Sequence, residues 1–156
     1  MAMLQGSLAD RHTWSAVGEC PIERTIALVG TKSALLILRE AYYGTTRFAE
    51  FCDRVGITRA GAAARLDELV GAGLLARRPY REPGRRTRDE YVLTPAGLDF
   101  MPVVFSLFQW GQRNLPEPVP LRLAHAECGA DVTVEMSCGN GHLVAAEELA
   151  LRVHKR

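Results

Sequence analysis

The sequence predicts a mainly α-helical protein that carries a small β-hairpin. Apolar residues recur at helical spacing in several segments before residue 115, and two short strand-like runs, residues 74–77 and 91–93, flank a turn at Pro83-Gly84. The segment that joins these runs is strongly basic. Residues 77–91, RRPYREPGRRTRDEY, hold six arginines and three acidic residues in a chain whose formal charge is only +1. The other residues therefore sum to −2, and the positive charge is concentrated at one turn.

The composition is that of an ordinary soluble globular protein, with 47% apolar and 24% charged residues. A chain of 156 residues can bury one proper core and add a small appendage. The first twenty residues lack the apolar core of a signal peptide, and no apolar run approaches the ~18 residues of a membrane span. We therefore expect a cytoplasmic protein without a membrane partner. Its four cysteines are too few and too unevenly spaced for a secreted disulfide framework.

Three short helices are predicted in the first third of the chain. Pro21 suits the first position of a helix that runs to about residue 28. Residues 33–43 are apolar on nearly all sides, as expected for a helix at the centre of a small domain. A further short helix is expected over residues 47–53, with Thr45 or Thr46 as its N-cap.

The next helix is amphipathic and has a clear start. Thr58 is a good N-cap, and apolar or small residues then repeat at helical spacing from Ala62 onward. After the basic hairpin, Thr94 and Pro95 supply the cap and the first residue of a long helix that continues to about residue 114 and is divided near Pro102. Its second part carries an apolar stripe too wide for the exposed surface of a monomer: Val103, Val104, Leu107, Phe108 and Trp110.

Three prolines at positions 116, 118 and 120 mark a linker. They divide the chain into a predicted DNA-binding and dimerisation domain, residues 1–115, and a small carboxy-terminal extension, residues 116–156. Apolar residues alternate in two runs of the extension, which predicts a second hairpin. These residues are Val119, Leu121 and Leu123 in the first run and Val132, Val134 and Met136 in the second.

The order of the elements indicates a winged helix-turn-helix that binds duplex DNA. A helix fits the major groove, and its amino-terminal residues are the ones that reach base edges. Arginines on an adjacent hairpin can lie along phosphates or in the minor groove. On its own the basic stretch would be typical of a solvated loop, but its position after the helix-turn-helix favours contact with phosphates. The predicted DNA contacts are Thr58, Arg59, Ala60, Ala62, Ala63 and Arg65 on the helix and Arg81, Arg85, Arg86 and Arg88 on the hairpin.

A set of short motifs between about residue 20 and residue 110 matches one known family. The motifs are Cys20-Pro21, residues 35–38, Arg47-Phe48-Ala49-Glu50-Phe51, Arg65-Leu66 with Leu69, Gly73-Leu74 with Arg77, and residues 90–95 with Gly97. Over this range the chain resembles the HxlR-type winged helix-turn-helix transcriptional regulators. The resemblance implies a bacterial homodimer that binds a pseudo-palindromic operator, with the first and last helices of each protomer forming the interface. One departure is Ser33, which stands where family members usually carry tryptophan.

Cys20 is a candidate redox sensor. A thiol at a helix start can be acidified by exposed backbone N–H groups, although Glu19 and Glu23 oppose this effect. Some regulators of the resembled family sense oxidants or electrophiles through a cysteine at the matching position. The alternative is a small, half-buried capping residue.

The extension contains two pairs of candidate zinc ligands, His125 with Cys128 and Cys138 with His142. Zinc takes four thiolate or imidazole ligands in a tetrahedron, and paired ligands on two turns can supply them. Gly141, however, occupies the position where a ribbon knuckle usually has its second cysteine. Structural thiols or a reversible disulfide are the alternative. DNA binding itself requires no cofactor, so zinc binding is considered only for the extension.

An enzyme is not expected. The chain has no histidine between Thr13 and Ala124, so its central domain lacks the commonest general base. Two functions that need no sequence-specific DNA binding stay open at this point. The chain could be a winged helix that binds only other proteins, or it could be a zinc-binding accessory protein.

Overall fold

The computed structural model describes residues 3–15, 17–18, 20–84, 86–117 and 119–153. It confirms a mainly helical chain with one small antiparallel hairpin. Within the described residues, no helix combines the length and the apolar character needed to cross a membrane. The elements in chain order are β1 (Met3–Leu4), α1 (Pro21–Val29), α2 (Lys32–Tyr42), α3 (Phe48–Val55), α4 (Arg59–Gly71), β2 (Leu75–Tyr80), β3 (Arg88–Leu93), α5 (Pro95–Asp99), α6 (Met101–Asn114) and β4 (Ala150–Leu151).

The core is built around α2, as its apolar sequence predicts. Ile37 and Leu38 on this helix have no exposed surface. The helix packs against α3, α4, α6 and β3, which surround it with apolar side chains and so remove most of its surface from water. The other large side chains of this core are Phe51, Leu66, Leu69, Leu75, Tyr91 and Met101.

Local signals set the start of α4. Thr58 accepts a hydrogen bond from the N–H of Gly61 at 3.1 Å, which confirms it as the N-cap. Gly56 ends α3 in the left-handed region at φ 70°, a conformation that glycine adopts without steric cost. The chain therefore turns sharply between α3 and α4, as a helix-turn-helix requires.

The predicted cap of α3 is wrong. Neither Thr45 nor Thr46 caps this helix; its N-cap residue is Arg47, which makes no side-chain capping bond. Thr46 instead offers its carbonyl to the N–H of Tyr91 at 2.8 Å, and Arg47 forms a single antiparallel bridge with Glu90. These backbone contacts join the segment before α3 to β3, and the Thr46 side chain forms a hydrogen bond with Glu90.

The wing, residues 75–93, consists of β2, β3 and the turn between them. Its strands pair in antiparallel register from Leu75 opposite Leu93 to Tyr80 opposite Arg88. Gly84 lies in the turn with φ 73°. Beyond the wing, the long carboxy-terminal helix is divided at Phe100 into α5 and α6, just before Pro102 in the first turn of α6.

The extension does not form the predicted regular hairpin. Its described part contains two tight turns instead, each closed by one antiparallel bridge: Ala124 with Asp131 and Ser137 with Leu143. None of the described residues from 116 to 153 is buried. A segment of this size cannot enclose a core of its own, so the alternation of apolar residues is not enough to produce long strands.

Two glutamines of α6 hold the extension by its backbone. The Gln109 side-chain amide donates to the carbonyl of Val132 at 2.7 Å and accepts from the N–H of Val134 at 3.0 Å. Gln112 donates to the carbonyl of Leu121 at 2.6 Å and accepts from the N–H of Val119 at 3.1 Å. Gln112 also donates to the carbonyl of Val119 at 2.8 Å. Each amide therefore binds both a donor and an acceptor of the extension, as a neighbouring strand would. At the far end, β1 pairs in parallel with β4.

A close backbone approach at Gly97 gives a test of this packing. A Cβ atom at this position would lie 2.2 Å from the Leu74 carbonyl oxygen and 2.9 Å from Cδ2 of Leu93. We expect Gly97→Ala to lower the free energy of unfolding by about 1–3 kcal/mol, because backbone must move to accept the methyl group. Urea denaturation measures the change.

Gly71→Ala provides the matched control, since a Cβ there meets nothing within 4 Å and the residue lies in α4. This substitution should be neutral or stabilising, by up to about 1 kcal/mol, because alanine is the better helix former. Equal stabilities of the two variants would contradict the tight contact of α5 with the segment before β2.

Candidate nucleic-acid interface

The first turn of α4 is exposed and presents most of the predicted base contacts. Thr58, Arg59 and Ala60 are exposed, and Ala63 is half-buried. Ala62 has no exposed surface and belongs to the stripe that packs into the core. Its methyl group cannot reach DNA, so the prediction is wrong for Ala62. The spacing of Ala62, Leu66 and Leu69 already places Ala62 on the inner face.

Arg65 is engaged within the helix. It forms an ion pair with Glu68 three residues later, and about a quarter of its side chain, 26%, is exposed. Its Nε atom is buried without a hydrogen-bond partner among the described residues. A contact between Arg65 and DNA would therefore compete with an existing ion pair.

The predicted wing arginines differ in their surroundings. Arg81, Arg86 and Arg88 are exposed, whereas Arg85 lies outside the described residues. Among the described residues, no carboxylate lies within ion-pairing distance of Arg86 or Arg88. Their guanidinium groups thus keep their charge available to an anionic ligand.

Two other arginines of the basic stretch have structural partners. Arg77 binds Asp67 of α4, and this hydrogen bond is the main reason why the pKa of Arg77 is raised. Arg78 donates from Nε to Oε1 of Glu90 at 2.6 Å. Neither arginine is among the predicted DNA contacts, which lie nearer the turn. Their acidic partners become visible only when the helix and the strands are brought together.

Glu90 connects the wing to the start of α3. Its carboxylate is buried, with 7% of the residue exposed, and its Oε2 atom lies 3.1 Å from Nη1 of Arg47. The hydrogen bond from Arg78 is the largest of the effects that lower the pKa of Glu90, with Thr46 and the charge of Arg47 adding to it against the effect of burial. The guanidinium of Arg47 in turn lies 3.2 Å from the centroid of the Tyr80 ring.

Sequence reasoning missed Arg47, Tyr80 and Glu90 as parts of the site. A signal was available, because Arg47 and Glu90 have opposite charges and both occur in motifs that carry the family resemblance. What the sequence does not contain is the bridge that places them side by side.

The start of α4 and the wing line one cleft of about 360 Å³. Arg59 enters it from α4, Arg88 and Tyr80 from the wing, and Arg47 from the residue before α3. The guanidinium of Arg59 lies 5.1 Å from the centroid of the Phe48 ring, within the range of a cation–π contact. The helix start and the basic strands therefore form a joined surface, and this surface is positively charged.

The extension does not assemble the predicted four-ligand zinc site. His125 Nδ1 and Cys128 Sγ are 3.3 Å apart, so the first turn brings one predicted pair together. In the second turn Cys138 and His142 share a backbone hydrogen bond, and backbone N–H groups, first that of Asn140, lower the pKa of Cys138. Across the described residues, however, no group of three His, Cys, Asp or Glu side chains is arranged to hold a metal ion. The two pairs belong to separate turns, which explains why ligand-like spacing within each pair does not make one site.

Cys20 is the N-cap residue of α1 and is half-buried. Its side chain makes no capping hydrogen bond, so the thiol does not cap the helix. Cys52 lies in the core next to Phe51, as expected for a structural cysteine.

The comparison with known proteins agrees with this geometry. Residues 28–118 match the family model of the HxlR-like helix-turn-helix. An uncharacterised helix-turn-helix-type transcriptional regulator of Mycobacterium tuberculosis is 38% identical over 138 residues, which cover 87% of this chain and 83% of the relative. Among solved structures, the transcription factor candidate PA1607 superimposes with a TM-score of 0.76 at 31% identity, over 90% of this chain and 98% of that one.

A further structural neighbour is the redox regulator HypR in its reduced form. It is 29% identical, with a TM-score of 0.55, and the match covers 61% of this chain and 93% of that one. Together with the exposed start of α4 and the basic wing, these similarities establish what kind of protein this is. The chain belongs to the HxlR-like helix-turn-helix family of DNA-binding transcriptional regulators.

Proposed function

We propose that the protein acts in the bacterial cytoplasm as a homodimer on a pseudo-palindromic operator. Each protomer would insert the start of α4 into the major groove and lay its wing arginines along the adjacent backbone. The observation that carries the proposal is the single cleft shared by Arg59 of α4 and Arg88 of the wing. We assign no catalytic role, because the family consists of regulators and no histidine lies between Thr13 and Ala124.

A wide apolar face supports the dimer. On α1, Ile22 is 69% and Ile26 is 58% exposed, and on α6 Leu107 is 52% and Trp110 is 56% exposed. A groove of about 580 Å³ runs between these helices, and a second groove of about 490 Å³ lies between α2 and α6. Leu107 borders both grooves, so it forms the ridge between them. A second copy of the same face can fit a ridge into each groove.

Leu107→Glu should therefore convert the dimer into a monomer, because a carboxylate would be buried against apolar side chains. Sedimentation equilibrium at micromolar concentration measures the change. The matched control is Leu143→Glu, which introduces the same charge at a 68% exposed leucine of the extension. If Leu107→Glu stays dimeric, the assignment of this face is wrong.

The role of the wing arginines can be measured as a salt dependence. Selection of bound fragments from genomic DNA first gives the operator. The double variant Arg81→Ala/Arg86→Ala should then lower the slope of log affinity against log salt by about 2 to 4, since a dimer loses four phosphate contacts. Arg122→Ala removes the same kind of charge from the extension, where Arg122 pairs with Asp131, and serves as the control. An unchanged slope in the double variant would show that these wing arginines do not contact phosphates.

We also propose that Cys20 makes DNA binding sensitive to oxidants. The half-buried thiol without a capping bond supports this, as does the similarity to the redox regulator HypR. In a background with Cys128→Ser and Cys138→Ser, which removes the two exposed thiols, diamide should change the operator affinity at least several-fold. Adding Cys20→Ser should abolish that response. An equal affinity before and after oxidation would end this proposal.

We propose finally that residues 116–156 form an appended unit distinct from the domain at residues 1–115. The support is that no described residue of this unit is buried and that α6 holds it through Gln109 and Gln112.

A further inference from the structure

The cleft between the start of α4 and the wing has the composition of an anion site. Three arginines line it, Arg47, Arg59 and Arg88, and Asp89 is the single acidic residue among the lining residues described. The arginines come from three separate elements that are far apart in sequence. From this convergence we infer that the cleft seats one phosphodiester group of the DNA backbone, so that Arg59 fixes the position of the helix and does not read a base.

Arg47 forms the fixed side of this cleft. Its guanidinium is held by the ring of Tyr80 at 3.2 Å and by Oε2 of Glu90 at 3.1 Å. Its Nη1 atom is buried beside Glu90 and is not open to a ligand, whereas about a third of the whole side chain, 35%, is exposed. Arg78 also shares the Glu90 carboxylate, so one negative charge faces two guanidinium groups. The wing base therefore keeps a net positive charge beside the cleft, which favours an anion there.

Arg59 is oriented toward the same cleft. Its guanidinium lies over Phe48 at 5.1 Å, at the first residue of α3, and it also lines the cleft with Arg88. A planar guanidinium stacked on a ring keeps its N–H edges available, which suits contact with phosphate oxygens. An arginine that reads guanine would instead extend away from the protein into the major groove. No carboxylate of the described chain pairs with Arg59, so nothing has to be displaced.

The inference depends on the proposed DNA binding, and its test separates the two. Affinity is measured for the selected operator and for an unrelated duplex of equal length, at the same salt concentration. Because phosphate contacts carry no sequence information, Arg59→Ala should weaken binding to both duplexes by the same factor, roughly 10- to 100-fold. The salt slope should fall by about 2, one phosphate for each protomer. Arg59→Lys, which keeps the charge, should restore most of the slope.

A second measurement locates the phosphate. A series of operator duplexes, each with one neutral methylphosphonate, is bound to the wild type and to Arg59→Ala. One position in each half-site should weaken the wild type and leave the variant unaffected. Thermal unfolding of Arg59→Ala, whose exposed side chain is not part of the core, verifies that the variant is folded.

Three results would overturn the inference. A loss of discrimination between the two duplexes, roughly 5- to 150-fold, would show that Arg59 reads a base. Sub-millimolar binding of inorganic phosphate that requires Arg59, in the absence of DNA, would assign the cleft to a free anion. If the wild type binds no DNA at all, the proposed function fails as well, and the other two results leave that function intact.

Discussion

The buried carboxylate of Glu90 holds the two halves of the DNA-binding surface in one arrangement. It accepts from Arg78 within the wing and lies beside Arg47 at the start of α3, so it links a strand to the helix-turn-helix. A buried charge is tolerated only when it is paired, and removal of either arginine would leave part of it uncompensated. The angle of the wing is therefore set by electrostatics at its base as well as by the apolar contacts of Leu75 and Tyr91.

Ion pairing also divides the arginines of the basic stretch into two groups, those with an acidic partner and those without one in the described part of the chain. Arg77 and Arg78 are bound by Asp67 and Glu90, whereas Arg86 and Arg88 have no acidic partner among the described residues. Part of an apparently uniform run of arginines thus forms ion pairs, and another part, Arg86 and Arg88, is exposed; Arg88 also lines the cleft at the start of α4. For a protein with little net charge, this local arrangement is what creates a positive surface.

The helices and the order of the elements could be predicted from the sequence, because these features depend on local periodicity and on helix caps. Thr58, Gly56 and the Thr94-Pro95 pair act within a few residues of themselves, and each behaves as its type predicts. Prediction failed where a partner distant in sequence decides the outcome. The segment before α3 pairs with β3, where the carbonyl of Thr46 accepts from the N–H of Tyr91, 45 positions later in the chain, and α3 starts without a threonine cap.

The predicted hairpin of the extension was wrong for the same reason, because partners distant in sequence decide the structure of this whole segment. Its alternating apolar residues indicate strands, but strands need a neighbour, and the neighbours it finds are the side chains of Gln109 and Gln112 on α6. Nothing in the local pattern of residues 119–136 indicates those amides. The predicted metal ligands are likewise distributed over two turns whose separation depends on how each turn docks, so ligand spacing alone could not predict a site.

The burial of Ala62 has a consequence for how the proposed complex would recognise DNA. With Ala62 in the core, Arg65 bound to Glu68 and Arg59 lying over Phe48, the predicted contacts left near the helix start are the exposed Thr58 and Ala60 and the half-buried Ala63. Such small side chains offer a hydroxyl and a few methyl groups, which can distinguish thymine but supply no bidentate hydrogen bonds. Discrimination must then come mainly from the shape and deformability of the DNA and from the spacing of two half-sites. In the proposed dimer both would depend on rigid placement of the wing and of the partner protomer, and therefore on the Glu90 pairing and on the apolar face of α1 and α6.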